Sequence, residues 1–401
     1  MSKTKKGESK AKAEKKGKAD KQAVATTKHN TKTKAGRSAA APRSAAASAG
    51  PVTLAQAKAW VAAKRAVASK AAPRAKGVAA KPLAKPAPPA AMTPGTVAIE
   101  RQRLDQQHRQ AVKQQVRDYK ATMTLMKQRG VKGLQPEPAA KGVKAARATK
   151  GLPVRPLQIL AEGDSWFDYP VPLFGGGVIP HLEHRVGLPI LNLAKAGDEV
   201  RYMMGVAERK ILAKQLQEGC PAGGHWDVLL FSGGGNDIVD NPMALWIKNF
   251  DPALKPQEQI HTARFEAALA LVRAGYEDLI TLRDRLSPDT WLVFHGYDFA
   301  IPDGRGICHL GPWLKPTFDL RGFPDRDSAF AVVKVMLQQF AAMLQSLESH
   351  SLVSFINAQG TLAPEPASWH NELHPGRAGF KRFSEIFHER LKTLFPGRVL
   401  P

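Results

Sequence analysis

Five short apolar runs, at residues 158–161, 190–194, 228–232, 291–295 and 353–357, constrain the fold more than anything else in the sequence. None alternates polar with apolar residues, so each reads as a strand buried on both faces. Between and after them lie segments of helical spacing at 178–186, 200–217, 263–286, 327–348 and 377–394. Five β–α repeats of this kind imply an α/β fold with a parallel sheet covered by helices on both sides. A flavodoxin-like, doubly wound strand order of 2-1-3-4-5 places strand 1 inside the sheet. The loop after strand 1 then lies at the switch point, the crevice where such sheets hold ligands.

Charge divides the chain in two. Of the 59 Lys+Arg and 35 Asp+Glu in its 401 residues, the first 150 residues hold 35 and 7, a net of +28, and the remainder a net of −4. That split suggests a basic tail on an ordinary, slightly acidic globular body. Residues 1–95 are rich in Lys, Ala and Pro, with Trp60 almost alone among aromatics. Such a stretch buries too little apolar area to offset the cost of ordering, so a disordered tail is expected, with transient helix at 54–69. Residues 96–130 differ: Val97, Ile99, Leu104, Val112, Val116, Tyr119 and Met123 recur at loose helical spacing. One long amphipathic helix is expected there, then a Gly/Pro-punctuated linker over 131–156 and the body over 157–396. No window approaches the unbroken apolar length of a membrane span, so no transmembrane segment is expected. The N-terminus has no apolar core behind its charges, which argues against a signal peptide. Two cysteines, Cys220 and Cys308, make no disulfide framework, and a reducing, cytoplasmic setting fits them best.

The chemistry-bearing residues fall just past the apolar runs. After the first comes Gly163-Asp164-Ser165. A hydroxyl held at the end of a central strand, beside the free N–H groups of a starting helix, is placed to attack a carbonyl and have the oxyanion received. After the second run comes Gly197, able to offer its N–H without a side chain in the way. After the third comes Gly233-Gly234-Gly235-Asn236-Asp237, whose Asn236 amide is a further candidate donor. It is not a phosphate-cradling loop, because no Gly-Lys-Ser/Thr follows. After the fifth comes Trp369-His370-Asn371-Glu372-Leu373-His374-Pro375, where a histidine can act as general base to Ser165.

In order, and each after an expected strand, Gly163-Asp164-Ser165, Gly197, Gly234-Gly235-Asn236-Asp237 and His374-Pro375 resemble the four blocks of the SGNH (GDSL-type) hydrolases. The resemblance covers residues 157–396 and nothing of the basic tail. It implies a serine esterase with Ser165 as nucleophile and His374 as base. It implies an oxyanion hole made of the Ser165 and Gly197 N–H groups and the Asn236 amide, with Asp164 and Asp237 supporting the loops. It implies no metal and no organic cofactor, and a small-molecule or acylated substrate. In one place the chain departs from the pattern: the family's usual aspartate, three residues before the histidine, is Asn371 here. An amide carbonyl can orient an imidazole but carries no charge to stabilise the imidazolium. Glu372 is expected to point elsewhere, and a main-chain carbonyl is the other candidate for the orienting role.

Other readings attach to the same residues. His370 and His374, four apart around Glu372, have the spacing of a metal pair, but no third ligand is evident and no zinc site is expected. His181 and His184 read as a helix surface. His295 and Asp298 are either substrate-facing or structural, and Trp166, Phe167 and Tyr169 are either core or part of an acyl pocket. In the rival reading of function the chain binds a polyanion, nucleic acid or an anionic surface, through residues 1–95, with the hydrolase fold as scaffold. Sparse aromatics would make that contact phosphate-driven and non-sequence-specific.

Overall fold

A strand that is apolar on both faces is stable only between two layers, and the computed structural model of the chain has that layering. It describes residues 50–71, 94–132, 155–170, 176–307 and 310–400. Strands β1 (Ile159–Gly163), β2 (Ile190–Asn192), β3 (Val228–Ser232), β4 (Trp291–His295) and β5 (Val353–Ile356) pair in parallel in the order β2-β1-β3-β4-β5. This is the doubly wound α/β order that the spacing of the apolar runs predicts. Every residue of β1 and β3 is buried. Ile159 lies opposite Ile190 on one side and Val228 on the other, and Gly163 lies opposite Ser232. A Cβ on Gly163 would stand 2.6 Å from the Ser232 carbonyl oxygen, so only glycine lets β1 run out this close to β3.

The helices are α1 (Leu54–Ala71), α2 (Pro94–Arg129), α3 (Val178–Val186), α4 (Val200–Met203), α5 (Val206–Glu218), α6 (Thr262–Leu286), α7 (Lys315–Leu320), α8 (Arg326–Ser346) and α9 (Arg377–Leu394). Helix α9 packs on α3 and buries Phe380, Phe383, Phe387 and Leu391, spaced three or four apart as one helical face requires. Helix α8 buries a similar stripe of Val332, Met336, Phe340 and Leu344. With the turn that follows, α8 is long and apolar enough by length and composition to cross a membrane, although Lys334 and the Gln338–Gln339 pair interrupt its apolar run. Its apolarity serves the core and, as described below, the pocket.

Two expectations are corrected. The segment 200–217 is not one helix: the chain breaks at Gly205, which is extended, and divides into α4 and α5. Residues 54–71, expected to belong to a tail without fixed structure, form α1 and pack along α2. Ala57 and Val61 are buried in that contact, Lys58 pairs with Glu183 at 2.6 Å, and Val52 bridges Val131. The C-terminal half of α2 buries Val112, Tyr119, Met123 and Met126, whereas Ile99 and Leu104 nearer its start are exposed. Tyr119 meets Trp226 at 5.4 Å between ring centroids, and Lys127 donates to the Gln158 side chain at 2.6 Å. Enough apolar area therefore lies in this hairpin to order it, despite its lysines. The rest of the expected tail (1–49 and 72–93), most of the linker (133–154) and Cys308 lie outside the described residues.

At the edge of the sheet where the strands begin, the buried Asp227 accepts from the Gln158 N–H at 2.8 Å, from Arg398 at 2.6 Å and from Arg155. Arg398 Nε also donates to the Arg155 carbonyl at 3.4 Å. The entry to β1 and the end of the body are thus fastened to one carboxylate. The opposite edge, where the strands end, carries the loops of the candidate site.

Candidate active site

Gly163 releases the chain from β1, and the next turn is built on Asp164. Its carbonyl accepts from Phe167 and Asp168 N–H, while its buried carboxylate accepts from Trp166 N–H at 3.0 Å, Ser232 Oγ at 2.8 Å and the Tyr297 hydroxyl. Burial pushes the Asp164 carboxyl up to about 6 against the pull of these donors. Asp164 is consumed in shaping the turn, and the turn holds Ser165 at the end of β1. The Ser165 Oγ stands 2.6 Å from His374 Nε2.

His374 reaches the serine from the segment before α9. Its Nδ1 is 2.9 Å from Asn371 Oδ1, which also accepts the N–H groups of Leu373 at 3.0 Å and His374 at 2.9 Å. Two backbone donors on one side of the amide identify that side as the oxygen. The neutral imidazole must then carry its proton on Nδ1, which leaves the Nε2 lone pair facing the serine hydroxyl. Burial, with a smaller contribution from His370, drives the His374 pKa down to about 3, so the ring is neutral near pH 7.

The other loops converge on the same edge. Gly197 has φ +84°, a conformation that glycine adopts freely, in the turn between Lys195 and Asp198. Asn236 Nδ2 donates to the Asp198 carbonyl at 2.9 Å, tying the loops after β2 and β3 together through one of its two N–H bonds. Among the described residues, neither the Ser165 nor the Gly197 N–H is engaged by a protein acceptor. Asp237, pushed up to about 6 mainly by burial, accepts the Val200 N–H at 2.9 Å and so holds the start of α4. Beside Ser165, Asn236 and His374 opens a small pocket of about 40 Å³ whose remaining wall is largely apolar, with Ile238, Val239, Leu314, Met336 and Leu337.

The residues with open assignments separate clearly. Glu372 is fully buried and turns away from His374; its carboxylate accepts Gly304, Trp313, Leu314 and Lys315 N–H at 2.9, 2.6, 2.7 and 3.0 Å. It pins the loop that precedes α7 over the pocket. His370 faces the Tyr169 hydroxyl instead. The three residues that suggested a metal pair thus serve three different partners. His295 is in the core, ring against ring with Phe167 at 5.5 Å, and burial lowers its pKa to about 4. Asp298 reaches the pocket wall, but its oxygens accept Phe299, Gly360 and Leu362 N–H at 2.9, 2.6 and 2.8 Å, a structural clamp. Trp166 lines the pocket and Phe167 does not. Tyr169, weighed as core or pocket wall, and Tyr297 enter the site through hydroxyl contacts with Asn371 and Asp164 that sequence reasoning missed, because nothing local in sequence marks which distant group a tyrosine hydroxyl will meet.

No family model matches the chain, and no curated protein matches it. Solved structures do. The chain is similar to a lipase from a goat rumen metagenome at 17% identity and TM-score 0.41, over 60% of this chain and 99% of that one. An extracellular lipase from Streptomyces rimosus matches at 18% identity and TM-score 0.37, over 58% and 99%. A phospholipase A1 from Streptomyces albidoflavus matches at 12% identity and TM-score 0.34, over 58% and 99%. These are likenesses at low identity, and what the site can do follows from its own geometry.

Proposed function

We propose that the chain is a serine ester hydrolase acting on acyl groups with an apolar part. The observation that carries this reading is the 2.6 Å contact of Ser165 Oγ with a His374 Nε2 whose other nitrogen is held by Asn371, at the mouth of an apolar pocket. As the Ser165 oxygen bonds to the ester carbonyl carbon, His374 Nε2 takes the hydroxyl proton. The Ser165 and Gly197 N–H groups and the remaining Asn236 N–H receive the oxyanion. On collapse, His374 returns the proton to the departing alkoxide, and a water repeats the sequence on the acyl-serine. His374 is suited to this by burial, which keeps it a free base. Asn371 supplies orientation without charge, so the imidazolium is stabilised less than a carboxylate would achieve.

The test is labelling and turnover. Wild type is expected to react with a fluorophosphonate and to hydrolyse a short-chain p-nitrophenyl ester. Ser165→Ala should do neither, and His374→Ala should lose nearly as much, because the pair acts as a unit. Most activity surviving in either variant would sink the assignment. A separable property is contact with a polyanion through residues 1–95, which the +28 net charge of the first 150 residues favours.

A further inference from the structure

The hydrogen bonds that begin at Ser165 do not end at Asn371. That residue is fully buried, and its oxygen already accepts three N–H groups, so its Nδ2 is turned the other way, where it meets the Tyr169 hydroxyl at 3.1 Å. An amide nitrogen only donates. The Tyr169 oxygen therefore accepts, and in the His370 tautomer that carries its proton on Nε2 the phenolic proton is directed to His370 Nδ1, which is in contact with it. The Tyr169 ring also lies along the His374 imidazole, with centroids 4.6 Å apart.

Resting on the reading of Ser165 as nucleophile, we propose that Tyr169 and His370 are positioning residues. In this proposal they complete a one-directional chain, Ser165–His374–Asn371–Tyr169–His370, that takes the place of a charged third member. The first two links have a fixed sense, His374 Nδ1–H to Asn371 Oδ1 and Asn371 Nδ2–H to Tyr169 Oη, and the third runs Tyr169 Oη–H to His370 Nδ1 in the His370 tautomer protonated on Nε2. When His374 takes the serine proton, its Nδ1–H pulls harder on the amide oxygen. The amide polarises, its N–H binds the phenol oxygen more strongly, and the phenol in turn leans on His370. Buried dipoles aligned in series strengthen one another. The new positive charge is thereby spread along neutral groups, and a lone amide would offer only its own carbonyl.

A double-mutant cycle distinguishes this from simple packing. Tyr169→Phe keeps the ring against His374 and removes only the oxygen. It is expected to lower kcat about 10-fold with KM within about twofold, because the lost interaction matters only once His374 is charged. In an Asn371→Ala background the link to His374 is already cut, and the same substitution should change kcat by less than about twofold. Equal fractional losses in both backgrounds, or wild-type kcat in Tyr169→Phe, would overturn the proposal. Ser165→Ala is assayed alongside. If that variant is inert while the cycle is additive, only the role of Tyr169 fails; if it still turns over ester, the reading of the whole site fails and this proposal with it.

Discussion

Glu162 precedes the turn that carries Ser165. Its carboxyl is buried in β1, accepts the Gly163 N–H at 2.9 Å, and is pushed up to about 8, chiefly by burial. The folded chain therefore holds it protonated at pH 7, whereas the unfolded chain ionises it near 4.5. Its stabilising contribution is complete below that lower value and is lost as pH rises through about 8. Glu162→Gln keeps the shape and an oxygen for Gly163 but cannot ionise. From pH 5 to pH 8 the Tm of wild type should fall more than that of the variant; parallel slopes in a thermal melt would show that Glu162 is not the titrating group. At Asn371, removal of the orienting carbonyl in Asn371→Ala should cost roughly one to three orders of magnitude in kcat. Asn371→Asp should match or exceed wild type, since the Tyr169 hydroxyl can turn to donate to the new oxygen while His370 donates to the phenol. An Ala variant as active as wild type would mean that a main-chain carbonyl orients the ring. The sequence singles out Ser165, Gly197 and Asn236 because each sits a few residues beyond a strand end, and Asn371 and His374 because their segment stands just before the last helix, and the fold brings Ser165, His374 and Asn371 into one hydrogen-bonded line. The link from Tyr169 to Asn371 was not legible in sequence, because the two are 202 positions apart and only folding joins them.

Among the loops, the segment before α7 depends most on a single side chain. Four N–H groups converge on Glu372, and burial raises its pKa while those donors pull it down. Glu372→Gln replaces one acceptor oxygen by an NH₂ facing two N–H groups, and should cost about 1.5–3 kcal/mol for each of the two hydrogen bonds lost. The measurement is the urea midpoint at constant m. Because Leu314 lines the pocket, a loosened loop should also flatten the dependence of kcat/KM on acyl chain length. An unchanged midpoint would mean that the loop is held elsewhere. At this scale the sequence was read well where apolar periodicity dominates, as in α6 and α9. It was read less well where geometry decides. The helical pattern runs through 200–217, yet the chain must turn at Gly205 to bring α4 under Asp237, and periodicity carries no record of that turn.

The molecule as a whole joins a body of nearly balanced charge to strongly basic segments, and α1 shows that composition alone misplaced the boundary between them. Lysines and alanines suggested disorder through residue 95. However, Ala57 and Val61 are spaced to bury one thin face, and α2 supplies the surface for it. A partner 50 residues downstream, roughly the distance from Val61 to Val112, is invisible to a composition window. Two truncations separate the roles. Removing residues 1–48, which hold 14 Lys+Arg and 3 Asp+Glu, should leave esterase activity and Tm unchanged while weakening heparin retention at low salt. Removing residues 1–93 also strips α1 from α2, and should lower Tm and raise aggregation by exposing Val112 and its neighbours. Undiminished retention in both would put the anion-binding surface on the body instead. The clasp at Asp227 bears on how the molecule can be handled. Arg155 and Arg398 meet there, at the edge of the sheet where the strands begin and away from Ser165. A bead or a fused carrier coupled beside Arg398 would therefore hold the molecule by its back, with the pocket mouth turned outward to passing substrate.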